Sequence, residues 1–97
     1  YFFFLINFFT MKLNSIEGRN AAIALMVLNL TSTSKKQQLK LDELADSLFP
    51  FKIKELSFTQ KKVLEFCHLQ ACKIVSSPVL LEQFYSNPEL DNPVFNS

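Results

Sequence analysis

Apolar residues in this chain gather into one continuous run and three narrower stripes. The run is Ala21–Leu28, AAIALMVL, behind a polar lead-in from Asn14 to Asn20. Its members are mostly good helix formers, and with the lead-in they predict a helix over Asn14–Leu30. Asn14 and Glu17 have the spacing of a capping box at its start. At helical spacing Ile16, Ile23, Val27 and Leu30 share one face. Leu25 lies opposite, flanked by Met26 and Leu28. A helix apolar on every side is buried in a core or in a membrane. This run is about half the roughly 20 residues needed to span a bilayer, and Glu17, Arg19 and Asn20 precede it closely. A membrane span is therefore not expected, and burial between partner helices is.

The stripes predict the partners. Leu41, Leu44, Ala45 and Leu48 fall at i, i+3, i+4 and i+7, which places a second amphipathic helix between Ser34 and Leu48. Ser34 and Gln37 are spaced as its capping box, and Pro50 stops it. Phe49–Leu56 alternates weakly and, without a second strand to pair with, reads as an ordered loop. Val63, Leu64, Cys67, Ala71, Ile74 and Val75 occupy one face of a third helix from Phe58 to about Val75, with Ser57 and Gln60 as its capping box. Ser77 as N-cap and Pro78 at the first position start a short fourth helix holding Val79, Leu80, Leu81, Phe84 and Tyr85. From Asn87 the sequence NPELDNPVFNS has two Asn-Pro steps and reads as an irregular tail. The expectation is an all-α bundle: three main helices and a short fourth, in a single domain over residues 11–86.

Residues 1–10, YFFFLINFFT, hold five of the eleven Phe and no charge. Each of residues 1–9 can be written with codons rich in A and T, and Met11 follows at once. We therefore expect Met11 to be the true start and residues 1–10 to be translated upstream sequence. A secretory signal would carry a basic opening and small residues before cleavage, and this stretch has neither.

Composition narrows the function classes. At 97 residues the chain is one domain with a modest core. A net charge of +1 gives no general pull toward nucleic acid or an anionic membrane. One Gly and no Trp disfavour a fold with many tight turns. Lysines crowd the middle of the chain, while the stretch after Pro78 carries Glu82, Glu89 and Asp91 and no basic residue. Cys67 and Cys72 point about 140° apart on one helix and cannot bridge each other. That suggests a reducing, intracellular setting, cytoplasmic or nuclear.

Candidate chemistry is sparse. His68 and Cys72 have two-ligand spacing, but a zinc site needs three or four ligands. Neither a nucleophile with an orienting base nor a phosphate loop is present, so no enzyme activity, cofactor or metal is expected. Asp42, Glu43 and Asp46 read as a solvated face. Ile16–Arg19 matches a protease linker site and Asn29–Thr31 a glycosylation acceptor. Both read as chance matches. Asn92–Phe95 resembles the Asn-Pro-x-aromatic turns that adaptor domains bind.

Thr59, Gln60, Lys61 and Lys62 open the third helix, where helix-turn-helix domains present base-reading residues. Lys52 and Lys54 lie just upstream, placed to touch phosphates. From Met11, MKLNSIEGRNAAIALMVLNL also resembles the opening of one family of winged helix-turn-helix transcription regulators: MKL, then GR, then an Ala/Leu-rich helix. The resemblance covers about a third of the chain and implies DNA binding. The chain departs from that family in its long Leu48–Ser57 link, in lacking a Gly-rich wing after Val75, and in lacking the family's cysteine cluster.

The second and third helices each offer one apolar face, and the fourth is short. They leave part of the first helix uncovered, at Leu25, Met26 and Leu28. The leading expectation is therefore a non-enzymatic protein acting through protein–protein contacts, as a dimer or a complex subunit. The alternative is a DNA-binding protein using Thr59, Gln60, Lys61 and Lys62.

Overall fold

The computed structural model describes residues 15–48, 56–87 and 89–97. In chain order it has α1 (Ile16–Thr31), α2 (Lys35–Leu48), α3 (Phe58–Ser76), α4 (Pro78–Ser86) and a final 3-10 turn, Pro93–Asn96. The fold is all-α, with three main helices and a short fourth, as the stripes predict. Residues 1–14, 49–55 and 88 lie outside the described residues. With them go Asn14, Lys52, Lys54 and most of the expected loop.

Helix starts follow local hydrogen-bond chemistry. Ser57 caps α3 through the expected reciprocal pair: its hydroxyl accepts from the Gln60 amide at 3.2 Å, and Gln60 Oε1 accepts from the Ser57 amide at 3.0 Å. Ser77 caps α4, with Pro78 in the first turn, where its missing N–H costs nothing. Two other caps differ from expectation. α1 is capped by Ser15, whose hydroxyl accepts from the Gly18 amide at 2.9 Å, one residue after the predicted Asn14. The Ser15 backbone is extended (φ −84°, ψ 157°), as an N-cap residue must be. Before α2, Gln37 is engaged by Ser32. The Ser32 hydroxyl lies 3.3 Å from Gln37 Oε1 and 3.2 Å from the Ser34 carbonyl.

α1 packs most extensively on α3, and next on α2. The buried core joins Ala21, Ile23, Ala24 and Val27 of α1 to Cys67, Ala71 and Ile74 of α3 and Phe84 of α4. Small side chains at the α1–α3 seam let the two helices approach closely. Of the predicted stripe of α3, Cys67, Ala71 and Ile74 are buried, while Val63, Leu64 and Val75 are half-buried. Leu41, Leu44 and Ala45 of α2 pack only partly against the core.

The largest difference from expectation lies in residues 89–97, which read as irregular from sequence. Val94 and Phe95 are fully buried and belong to the core. Three buried side-chain amides hold the segment in place. Asn20 Nδ2 of α1 donates to the Leu90 carbonyl at 2.6 Å. Gln70 Nε2 of α3 lies 3.1 Å from the Val94 carbonyl and 3.0 Å from that of Ser97. Asn92 Nδ2 lies 3.1 Å from the Gln83 carbonyl and 2.9 Å from that of Asn87, while its Oδ1 accepts from the Val94 amide. Buried polar groups are tolerated when satisfied in this way. Phe95 meets Phe84 edge-on, with ring centroids 6.0 Å apart. The segment closes a side of the core that helices alone leave open.

Candidate functional site

Among the described residues, an opening lies toward α2. A groove of about 530 Å³ runs between α2 and α3 with α1 as its floor. Ala22, Leu25, Met26, Asn29 and Leu30 line it from α1; Leu41, Asp42, Ala45 and Asp46 from α2; Leu64 and His68 from α3. The lining is mostly apolar. Its polar members are the two Asp of α2, Asn29 and His68.

The groove follows from the sequence of α1. The continuous run AAIALMVL puts apolar side chains on every face, and α3 with its neighbours covers only part of the circumference. Met26 is half-buried and Leu30 is 49% exposed. α2 lies against α1 through a stripe of short and medium side chains, so it covers the floor incompletely.

Of the residues expected to be shared with a partner, the groove brings Leu25 and Met26 together. Leu25 is nearly buried, at 7% exposure, and forms the bottom; Met26 is more open. Leu28 lies about 60° round the helix from Leu25. It packs against the core, does not line the groove, and is half-buried. Sequence reasoning placed Leu41, Ala45 and Leu64 in the core and Asp42 and Asp46 on a solvated face. It did not foresee that all five border one opening. The signal for that was the weak burial capacity of the α2 stripe.

The other candidates are placed as follows. Thr59, Lys61 and Lys62 are exposed on the first turns of α3. Gln60 is half-buried and its side-chain oxygen belongs to the cap. Lys62 pairs with Glu65 at 3.4 Å and sits 5.4 Å from the Phe58 ring centre. His68 Nε2 and Cys72 Sγ lie 3.7 Å apart on the surface. Among the described residues no group of three or more His, Cys, Asp or Glu is placed to hold a metal ion. Both cysteines are free thiols. Burial pushes the Cys67 thiol up from its ordinary value, against a smaller opposing pull from Arg19. A desolvated, neutral thiol is a poor nucleophile. No helix among the described residues is long and apolar enough to cross a membrane.

Comparison with protein-family models, curated proteins and solved structures finds no match to this chain.

Proposed function

We propose that the chain acts without catalysis, as a small helical protein whose α1–α2–α3 groove is a protein-contact site. One observation carries this reading. The core helix α1 keeps an apolar strip, at Leu25, Met26 and Leu30, along an open groove, while Ala21, Ile23, Ala24 and Val27 on its other sides are buried. Helix-sized apolar grooves are a recurrent way for one protein to hold a segment of another. The volume falls within the roughly 300–1,000 Å³ usual for binding sites, but the groove offers few polar groups to orient a small substrate.

The DNA-binding reading through Thr59, Gln60, Lys61 and Lys62 has less support. In a helix-turn-helix the two helices pack on each other across a short turn. Here α2 packs on α1 and stands across the groove from α3. Gln60 is committed to its cap, and Lys62 to Glu65.

The contact reading is tested by placing a photo-cross-linking phenylalanine analogue at Asn29, an exposed residue on the groove lining. In the protein's own cells, irradiation should give a discrete protein adduct. That adduct should be largely lost when Met26→Asp puts a charge on the groove floor. Absence of any protein adduct would overturn the reading.

A further inference from the structure

The outer side of α3 carries three large apolar side chains in water. Phe58 is 76% exposed, Leu69 68% and Phe66 55%. At 3.6 residues per turn, Phe58 and Leu69 fall within about 20° of each other, and Phe66 lies about 80° from Phe58. Lys62 and Lys73 stand on the same face, both exposed. Isolated exposed apolar residues are ordinary, but a row of them along one helix face marks a contact surface. From Phe58 to Leu69 the row runs about 16 Å along the helix. The Glu65 carboxylate within this face is taken up by Lys62 at 3.4 Å, so Lys73 and the nearby Lys61 leave it positive.

The groove has the opposite character. Its floor is Ala22, Leu25, Met26 and Leu30, and its α2 rim carries Asp42 and Asp46 one turn apart, both exposed. An apolar stripe with basic residues and an apolar groove with an acidic rim match in both polarity and charge sign. They are carried by the same molecule.

We propose that the two surfaces meet in a homodimer. The Phe58–Phe66–Leu69 stripe of one copy lies in the groove of a second copy, with its lysines toward Asp42 and Asp46. This rests on the reading that the groove is a protein contact, and it names the occupant. The stripe and one wall of the groove, Leu64 and His68, belong to the same helix. Two-fold pairing of α3 with α3 therefore lets each copy donate its stripe and receive the other's at once. Such an isologous contact closes on itself and ends at two chains, not in a filament. The stripe is short, so the contact belongs to the small, concentration-dependent class.

Sedimentation of the full chain across the micromolar to millimolar range tests this. The wild type should move from the mass of one chain toward that of two. Leu69→Asp in the stripe and Ala45→Arg in the groove wall should each weaken dimerisation at least about tenfold, the effect of roughly 1.4 kcal/mol. Leu69 is mostly exposed and Ala45 only partly buried, so both variants should keep the wild-type circular dichroism. Mixing the two variants should then restore a heterodimer, because the stripe of Ala45→Arg still fits the groove of Leu69→Asp. It should be weaker than the wild-type dimer, with one of two stripe–groove pairs intact. A misfolded variant or an unrelated self-contact would not give that rescue. A wild type that stays monomeric throughout overturns the homodimer, as do variants that dimerise like the wild type or a mixture that forms no heterodimer. If the wild type is monomeric while the cross-link from position 29 to a different protein persists, only the identity of the occupant falls. If no cross-link to any protein forms, the contact reading falls with it.

Discussion

The two flanks of α1 are closed by different means. Toward α3, α4 and the 89–97 segment, closure combines apolar packing with three side-chain amides, Asn20, Gln70 and Asn92, each buried and hydrogen-bonded to backbone carbonyls. Toward α2, closure relies on Leu41, Leu44 and Ala45, all only partly buried, and a groove remains. Apolar contact alone is non-directional. A short segment with little secondary structure, such as 89–97, also has to satisfy its backbone carbonyls, and the amides do that. Where the directional bonds are dense the core residues are buried; where packing is thin a groove remains.

The sharpest way to break the sealed flank is Phe95→Ala. Phe95 is fully buried against Phe84, and deleting a buried Phe typically costs about 3–5 kcal/mol. That is a large share of the roughly 5–15 kcal/mol that holds a domain together. Urea unfolding should show a strongly lowered midpoint. Met26→Ala, on the open flank, serves as the control and should move the midpoint much less, because Met26 is only half-buried.

Asn92→Ala tests the amides separately from the packing. It removes the donor to the Gln83 and Asn87 carbonyls and the acceptor for the Val94 amide, all in a fully buried position. Leaving buried backbone groups unpaired costs about 1–3 kcal/mol each before relaxation. The expected loss is about 2 kcal/mol, less than that of Phe95→Ala. Hydrogen exchange at the Val94 and Phe95 amides should speed up well before that of the α1 amides. Equal acceleration everywhere would mean that the segment and the helices open together.

The helical flank was legible in the sequence and the 89–97 closure was not. Periodicity marked Cys67, Ala71 and Ile74 as one face because helix geometry is local, and the Ser57–Gln60 cap was readable from a spacing of three. The 89–97 closure depends on partners far away in sequence: Asn20 reaches Leu90, and Gln70 reaches Val94 and Ser97. No window of neighbouring residues contains that information. The two Asn-Pro steps read as signs of an irregular tail, although Asn92 before Pro93 is a cap that starts a turn. At the groove, Leu25 and Met26 were visible as surplus apolar surface. Leu28 was not separable from them, because which side of an all-apolar helix is covered is decided by its neighbours.

The smallest expected effect concerns Cys67, whose thiol donates toward the Arg19 carbonyl at 3.7 Å within the sealed flank. Burial raises its pKa above the ordinary 9.0. Below pH 9 the thiol keeps its proton in both folded and unfolded chains, and its ionisation adds no pH dependence. Above that, the unfolded chain loses the proton first while the folded one retains it. The folded state then binds more protons than the unfolded state, so stability falls as pH rises. The stability of Cys67→Ala relative to wild type should accordingly be flat from pH 6 to pH 8 and drift in favour of the variant above about pH 9. All other ionisable groups are common to the two proteins, so the difference isolates this thiol. A flat difference up to the end of the alkaline range would mean that Cys67 reaches water in the folded state, and that the flank around Arg19 and Cys67 is as open as the groove.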